Sequence, residues 1–383
     1  MVESIVIIGA SDLQCPLIRE AKLLGYETHV FAWAANDMGE KEADHFYPIS
    51  IVEVDRILEV CRTIHPVAIA SIASDLASIT VTKIANALHL PGNPIETAII
   101  ATNKYEMRKT FANAGLHVPK FVKVKKEYDI HDLKDLRFPV IVKPTDRSGS
   151  RGIYKAETAE QLKEYIPLAQ KESFEHAAIV EEYIEGKEYS CECISQNGVH
   201  HYLAITEKYT TGAPNYIEIG HIEPSGLDEQ QCEKIKEQVF KALDALHIRN
   251  GASHSEFKIT PDGEIRIIEI GARMGGDYIG SDLVRMTTGC DYVGMVLEVA
   301  LGKTIRIGRN EQNQTAAAVR YMIKAEDYAR YQYVKKNYPE AVVREYVPLA
   351  HPNQTVKDSS SRNGFYVVKA ASREDAKKLT GLE

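Results

Sequence analysis

The 383-residue sequence lacks any long hydrophobic run, and this absence excludes a class of protein. No stretch approaches the roughly 20 apolar residues that a membrane-spanning helix needs. The opening residues, MVESIVIIGAS, have neither the basic segment nor the cleavage signal that begins a secreted protein. We therefore expect a cytoplasmic protein with no membrane partner, whose first residues form a strand.

Cysteine is scarce, and its spacing excludes the usual zinc modules. The six cysteines lie at positions 15, 61, 191, 193, 232 and 290. Cys191 and Cys193 are two residues apart, which is the alternation of a strand and not the C-x₂-C spacing of a zinc site. We expect free, buried thiols.

A surplus of positive charge is also missing. The formal net charge is -8, which argues against nonspecific nucleic-acid binding because such binding neutralises phosphates with a basic surface. The 44% hydrophobic and 26% charged residues are typical of a globular chain. A chain of this length is too long for one ordinary hydrophobic core, so two or three domains are expected.

The first ninety residues alternate predicted strands and helices. Ile5–Ile8, Thr28–Ala32 and Val67–Ile72 are predicted strands, and apolar spacing over 13–24 and 54–64 predicts helices between them. This alternation predicts a parallel sheet with helices on its faces. The segment GASDLQ after the first strand lacks G-x-G-x-x-G, which weakens the interpretation as a nicotinamide-dependent oxidoreductase. Asp75, at the end of the third predicted strand, could cap the following helix or face a substrate, and the sequence favours neither role.

The remaining chain divides at strong turn signals. LPGNP at 90–94 predicts an exit from the first domain, and a short helix follows, closed by Gly115. Mostly strands are expected from 119 to 209, with a helix near 158–170, and a long amphipathic helix covers 228–246. The predicted domains are 1–92, 93–305 and 306–383.

A pair of glutamates is the most informative feature. The segment GASHSEFKITPDGEIRIIEIGARMGG (251–276) predicts a β-hairpin turning at Pro261-Asp262-Gly263-Glu264. A two-residue Asp262-Gly263 loop places Glu256 directly opposite Glu269. Like charges so placed are destabilising unless a cation lies between them, and hard carboxylate oxygens suit Mg²⁺. The alternative is a structural ion pair between Glu256 and a lysine or arginine.

Two further segments are suited to phosphates and a nucleoside. In FPVIVKPTDRSGSRGIYK (138–155), Lys143 ends a strand and the loop Ser148-Gly149-Ser150-Arg151-Gly152 can direct backbone N–H groups at anions. It is not a Walker P-loop, and an ordinary hairpin connection is the alternative. In AIVEEYIEGKEYS (178–190), an apolar predicted strand is followed by glutamates, and Glu188 could accept hydrogen bonds from ribose hydroxyls. The alternative is a hinge strand with exposed acids.

In order and spacing, the sequence resembles the ATP-grasp superfamily, and within it the amino-acid ligases that join a carboxylate to an amine. The matching segments are TNKYEMR, FPVIVKP, SGSRG, VEEYIEGKEYS, GHIEPS, GASHSEFK and IIEIGARMGGD. The resemblance implies an α/β and α+β fold: a Rossmann-like N-terminal domain, an ATP-grasp domain with a lid at about 117–186, and a C-terminal α/β subdomain. It covers nearly the whole chain.

The resemblance also implies roles for residues at the matching positions. ATP would be bound by Lys104, Lys143, Ser148, Gly149, Ser150, Gly152, Glu181, Tyr183, Ile184 and Glu188. Mg²⁺, or Mn²⁺, would be held by Glu256 and Glu269. Arg273 would stabilise the acyl phosphate and act with Lys143 in catalysis. Substrate would contact His221, His254, Arg273, Gly275 and Gly276.

One departure from the family pattern concerns the metal. Many ATP-grasp enzymes carry E-x-N-x-R here, whereas this chain has Gly271 between Glu269 and Arg273, which leaves the number of metal ions open.

The implied reaction transfers the γ-phosphoryl group of ATP to a carboxylate, and an amine then displaces phosphate. Alternatives are a carboxylase-type or purine-type ligase, or a nonenzymatic nucleotide-binding regulator. The expected partners are small-molecule carboxylates and amines, with no nucleic acid and a possible homodimer.

Overall fold

The computed structural model describes residues 2–213, 216–308, 315–348, 356 and 358–382. These residues form three sheets of four, eight and four strands, flanked by helices. The mixed α/β architecture agrees with the fold class that the sequence predicts.

The first ninety residues form the expected parallel sheet. Its strands are β1 (Ser4–Ile8), β2 (Glu27–Phe31), β3 (His45–Tyr47) and β4 (Ala68–Ala70), in the order β3-β2-β1-β4. Its helices are α1 (Cys15–Leu23), α2 (Met38–Glu42), α3 (Val54–Ile64) and α4 (Asp75–Leu88). The three predicted strands are confirmed as β1, β2 and β4. Strand β3 was missed because three residues are too few to show an alternation.

The second sheet is small and antiparallel. After α5 (Thr97–Ile100) and α6 (Lys104–Asn113) come β5 (Phe121–Val124), β6 (Val140–Pro144), β7 (Tyr154–Ala156), α7 (Ala159–Glu172) and β8 (Ala178–Glu182). The strand order is β5-β8-β6-β7, and α7 packs on β6. The predicted helices over 102–115 and near 158–170 are confirmed as α6 and α7.

The third sheet is the largest and carries most of the candidate site. Its first strands are β9 (Lys187–Gln196), β10 (Val199–Thr210), β11 (Glu218–Glu223), β12 (Gly251–Ile259) and β13 (Ile265–Gly271), with α8 (Glu229–Ala245) before β12. The elements that follow are α9 (Val284–Thr288), α10 (Tyr292–Ala300), β14 (Ala316–Tyr321), α11 (Ala325–Asn337), β15 (Val342–Tyr346), β16 (Phe365–Ala370) and α12 (Arg373–Thr380). The order is β13-β12-β9-β10-β11-β14-β16-β15. Strands β14 to β16 thus extend the same sheet across the predicted boundary at residue 305, and the domain division stays a prediction.

Helix α10 joins the parallel sheet to the largest sheet. Nearly every residue of α10 is buried, as expected of a helix that is apolar on all sides. It packs on α1 and β4 and also on β9 and β12, and the Tyr292 hydroxyl donates to the Cys193 carbonyl at 2.7 Å. Apolar side chains of both sheets therefore share one core. This packing fixes the end of β4 relative to β9 and β12.

Two absences expected from the sequence can be checked against the described residues. All six cysteines are free thiols, and five of them are buried. No helix in the described part of the chain is long and apolar enough to cross a membrane.

Candidate functional site

Two adjoining clefts contain most of the candidate residues. The first cleft lies between the small sheet and the largest sheet, with about 730 Å³ of empty space. It is lined by Lys104, Ile141, Lys143, Ser150, Ile153, Glu181, Glu182, Tyr183, Ile184, Glu188, Lys208, Tyr216, Glu218, Glu256, Lys258, Ile268 and Glu269. Ile141, Ile153 and Ile268 provide apolar walls. Sequence reasoning missed them because isolated isoleucines give no signal beyond that of a core.

The second cleft lies where the parallel sheet meets the largest sheet, with about 940 Å³ of empty space. It is lined by Leu13, Ala73, Ser74, Asp75, Leu76, Ser148, Gly149, Arg151, Lys208, Glu218, His221, His254, Glu256, Arg273, Gly276, Asp277, Ile279 and Ser359. Residues that follow β1 and β4 line this cleft. This is the usual place for a ligand of an open α/β sheet, beyond the carboxyl ends of the strands. A bridging pocket between the two clefts is lined by Lys143, Glu256, Glu269 and Arg273, among others.

The predicted pairing of the glutamates is confirmed, although the turn differs from the prediction. Glu256 lies directly opposite Glu269, and His254 opposite Gly271. The turn, however, is wider than two residues, since Ile259 pairs with Ile265. A β-bulge between Glu256 and Phe257 shifts the register by one residue and restores the predicted pairing.

Each glutamate of the pair contacts a lysine. The Lys208 ammonium lies 2.5 Å from Glu256, and the Lys104 ammonium lies 2.8 Å from Glu269. Burial alone would raise the pKa of Glu256, but Lys208 and His254 outweigh it and hold that pKa well below its usual range. The structural ion pair weighed as the alternative is therefore present, formed by Lys208 from β10. Two carboxylates facing each other on adjacent strands are also a donor set that fits Mg²⁺.

His254 connects this pair to a buried glutamate on the neighbouring strand. Its Nδ1 contacts the Glu192 carboxylate, and its Nε2 lies 3.1 Å from Glu256. Burial alone would lower the pKa of His254, but the two glutamates raise it to about 9. The other Glu192 oxygen accepts from the Gly275 N–H at 2.9 Å. Gly275 thus lies against Glu192 and does not line the clefts, whereas the neighbouring Gly276 lines the second one.

Lys143 is positioned by a buried ion-pair network. Its ammonium lies 2.5 Å from Glu181, whose other oxygen accepts from Arg108 Nε at 2.9 Å. Burial would raise the pKa of Glu181, but Arg108 and Lys143 lower it to about 2. Glu181 therefore stays ionised, and its carboxylate is engaged by protein cations, while the residue also lines the first cleft. Arg108 was missed, although its position four residues after Lys104 placed both on one helix face.

The loop between β6 and β7 reaches across the clefts. Ser148 and Gly149 line the second cleft, and Ser150, at φ +58°, donates to the Tyr216 carbonyl at 3.1 Å. Gly152 lies outside the clefts: a β-carbon there would approach Pro144 at 3.0 Å, and φ is +66°. Gly152 therefore shapes the loop and does not line a binding surface.

Cations lie around Tyr183 and Glu188 in the first cleft. Lys258 contacts Glu188 and the Ile184 carbonyl, each at 3.1 Å, and lies 4.8 Å from the Tyr183 ring centroid. The Tyr183 N–H donates to the Pro139 carbonyl at 2.9 Å. Tyr183 therefore offers this cleft its ring, and its peptide N–H is used within the protein.

Arg273 is held by a residue from the parallel sheet. Its Nε and Nη2 donate to the two oxygens of Asp75 at 2.8 and 3.0 Å. Asp75 therefore contacts Arg273, and the cap of α4 is the Ser74 side chain. A β-carbon at Gly271 would lie 2.8 Å from Asp75 Oδ1 and 3.0 Å from Arg273 Nε. Any side chain in place of Gly271, including the asparagine that many ATP-grasp enzymes carry, would disturb this ion pair.

His221 lines the second cleft. Its Nε2 is 3.2 Å from Asp277, which also receives two hydrogen bonds from Arg362 at 2.7 and 2.6 Å. Burial lowers the pKa of His221, and Asp277 only partly offsets this effect. The second cleft thus contains anionic and cationic groups side by side.

Residues 136–282 match the ATP-grasp domain family. The whole fold agrees, because the chain superposes on the crystal structure of L-amino acid ligase from Bacillus licheniformis with a TM-score of 0.83, covering 98% of this chain and 96% of that one at 23% identity. The chain belongs to the ATP-grasp superfamily. A phosphoribosylglycinamide synthetase from Anaerococcus prevotii shares this ATP-grasp fold with a TM-score of 0.78, covering 99% of this chain and 96% of that one at 22% identity.

Two curated relatives of this ATP-grasp chain are named as ligases. It is 30% identical over 282 residues, 67% of the chain, to alanine–anticapsin ligase from Bacillus subtilis strain 168. It is 28% identical over 323 residues, 76% of the chain, to the ligase of the same name from Bacillus amyloliquefaciens. The chain spans 58% and 66% of the lengths of these relatives.

Proposed function

We propose that the chain is an ADP-forming carboxylate–amine ligase that uses ATP and Mg²⁺ and joins an amino acid to an amine. The observation that carries this proposal is the bridging pocket. Glu256, Glu269, Lys143 and Arg273 line one space that connects two clefts. A phosphoryl donor in one cleft and a carboxylate in the other would meet there.

The first cleft suits a nucleotide. Its apolar walls and the Tyr183 ring can enclose a base, and Lys104 and Lys143 can neutralise phosphates at the bridging pocket. Mg²⁺ held by Glu256 and Glu269 would supply charge neutralisation to the phosphate oxygens. The loop residues Ser148, Gly149 and Ser150 line the bridging pocket and can exclude water from it.

Arg273 has the position required to stabilise the acyl phosphate. Its guanidinium lines both the bridging pocket and the second cleft, and Asp75 raises its pKa further above the usual value. A fixed planar cation stabilises developing negative charge without reorganising. Neither phosphoryl transfer to the carboxylate nor displacement of phosphate by the amine needs a protein nucleophile.

The second cleft suits a zwitterion. Lys208 and Arg273 can attract a carboxylate, and Glu218 and Asp277 can attract an ammonium group. Leu13, Leu76 and Ile279 provide apolar surface beside these charges. Similarity to alanine–anticapsin ligases supports an amino-acid substrate.

The test is incubation with ATP, Mg²⁺ and pooled amino acids, with phosphate release and product masses recorded. We expect ADP, phosphate and a product whose mass equals two substrates minus water. Arg273→Ala should bind ATP but form no product, whereas Arg285→Ala, a change at an exposed arginine outside the clefts, should retain activity. ATP binding without phosphate release from any amino-acid pool would contradict the proposed substrate class. Bicarbonate-dependent phosphate release would instead indicate a carboxylase-type ligase.

A further inference from the structure

A separate cluster of metal-ligating side chains lies on the parallel sheet, away from both clefts. Glu27 and His29 are two residues apart on β2 and so point to the same face of the sheet. His45 on β3 is the direct cross-strand partner of His29. One ligand atom from each of the three side chains lies within 4.8 Å of the other two. The cluster involves the edge strand β3, which has three residues.

The Glu27 oxygens approach the two imidazole nitrogens at distances close to those around a small ion. Glu27 Oε1 lies 3.0 Å from His45 Nε2, and Glu27 Oε2 lies 3.5 Å from His29 Nε2. Bonds of about 2.0–2.2 Å in a tetrahedral zinc site place neighbouring ligand atoms roughly 3.3–3.5 Å apart. The carboxylate therefore approaches both imidazoles at nearly the spacing that a shared ion would impose.

His29 is oriented as a metal ligand should be. It is only 7% exposed, and its Nδ1 lies 3.0 Å from the Tyr47 hydroxyl, which fixes the ring. Its Nε2 is buried and has no hydrogen-bond partner among the described residues. A metal-ligating histidine uses its other ring nitrogen for such an orienting hydrogen bond, and a buried nitrogen without a partner is costly.

We propose that Glu27, His29 and His45 bind a divalent transition-metal ion of borderline softness, such as Zn²⁺, with a fourth position open to water. Two imidazoles and one carboxylate suit this class of ion, whereas the two carboxylates of Glu256 and Glu269 suit Mg²⁺. The His29 and His45 rings are stacked with centroids 4.5 Å apart. Binding therefore requires the half-exposed His45 ring to rotate, while His29 stays in place. The ion would fasten β3 to β2.

The test is titration of the full chain with Zn²⁺ against a chromophoric chelator, with saturating Mg²⁺ and ADP present to occupy the acidic pair. We expect one tight equivalent. His45→Ala and Glu27→Gln should each weaken binding at least about tenfold, as loss of a ligand or its support does. Both side chains are partly exposed, so these variants should fold. His117→Ala, at an exposed histidine elsewhere, should bind like the unchanged chain.

A second readout is thermal unfolding with and without Zn²⁺. Zn²⁺ should raise the Tm of the unchanged chain and of His117→Ala, and should leave that of His45→Ala unchanged, because only a site present in the folded state stabilises it. Absence of a tight equivalent, or equal affinity in all variants, would overturn the proposal.

Discussion

At the residue scale, the bridging pocket is built from charges that face one another. Glu256 and Glu269 oppose each other and are neutralised by Lys208 and Lys104. The negative charge that attracts these lysines would also attract a Mg²⁺ ion. The pair therefore attracts cations because of its placement on adjacent strands.

Removal of either charge from this pair should abolish turnover while preserving the fold. We expect Glu256→Gln and Glu269→Gln to lower kcat at least about 100-fold, the scale measured when one preorganised electrostatic contact is lost. The amide keeps the side-chain volume, but each change leaves a buried lysine without its anion, so the free energy of unfolding should fall, though less than in Glu181→Gln because both glutamates are partly exposed. Phosphate release at varied Mg²⁺ concentration is the measurement. Glu264→Gln, at the exposed turn of the same hairpin, is the matched control, and full activity in either site variant would contradict the metal assignment.

Glu223 shows what burial does to a carboxyl group without a cation. Burial raises its pKa to about 8, although the Thr206 and Thr287 hydroxyls lie within hydrogen-bond distance of its oxygens and lower the pKa in part. The folded chain therefore retains a proton on Glu223 that the unfolded chain releases near the ordinary value of 4.5. Between these values, the contribution of Glu223 to stability falls as pH rises.

Glu223→Gln should remove this pH dependence. The amide is a neutral replacement for the protonated acid, so it should change stability little near pH 4.5 and stabilise the chain increasingly up to pH 8. Urea unfolding at pH 5 and pH 8 measures this, with a slope of up to about 1.4 kcal/mol per pH unit for one proton. Identical pH dependence in the two proteins would show that Glu223 is ionised in the folded state.

At the element scale, helix α6 and strand β8 together position Lys143. Arg108 on α6 donates to Glu181 on β8 and to the Ile267 and Ile268 carbonyls on β13. The helix thus links the small sheet to the largest sheet through one buried side chain. The first cleft depends on this link because it lies between those two sheets.

Glu181→Gln should destabilise the chain strongly, because it leaves Arg108 and Lys143 buried without their anion. A broken buried pair costs about 3–5 kcal/mol, whereas an exposed pair contributes under about 1 kcal/mol. Glu182→Gln is the matched control, since the neighbouring Glu182 pairs with Arg137, which is 85% exposed. Urea unfolding at pH 7 distinguishes the two variants, and equal stabilities would contradict the network.

The pH dependence of the Glu181 contribution has a defined sign. Its pKa is about 2 in the folded chain against an ordinary 4.5, so the stabilisation is present above pH 4.5. It should be lost as pH falls from there toward 2. The stability difference between the unchanged chain and Glu181→Gln should therefore shrink with acid.

At the scale of the whole molecule, the second cleft depends on the packing of the parallel sheet against the largest sheet. Asp75 and Arg273 are 198 positions apart, yet they form a bidentate ion pair across this junction. Helix α10 holds the two sheets together. The orientation of the proposed catalytic arginine is therefore a property of the packed molecule.

Asp75→Asn should weaken the hold on Arg273 without removing the cation. We expect kcat to fall about 10-fold or more, with ATP affinity nearly unchanged, because the proposed nucleotide site is the first cleft. Turnover and ATP binding are measured separately. Asp55→Asn, an exposed acid in the first turn of α3, controls for the loss of a helix-terminal charge. An equal loss in both variants would assign the effect to helix stability.

The sequence by itself determined the parallel sheet and the hairpin, and most of the residues that the family resemblance assigned to the site line the two clefts. Periodic apolar residues and turn signals are local, so β1, β2, α3 and α8 could be predicted from a few neighbouring positions. The facing of Glu256 and Glu269 was also predicted, although the turn was wrong and a bulge restored the register. Gly152 and Gly275 were assigned to the site because their motifs matched, and they lie outside its lining.

Only the tertiary structure decided which charges meet. The partners Asp75–Arg273, Arg108–Glu181 and Lys208–Glu256 are distant in sequence and lie on different elements, so no local pattern joins them. The need for glycine at position 271 is likewise visible only beside that first pair. Local pattern fixes which face of an element is buried, but packing of elements fixes what each buried charge contacts, and this contact sets its pKa and its chemistry.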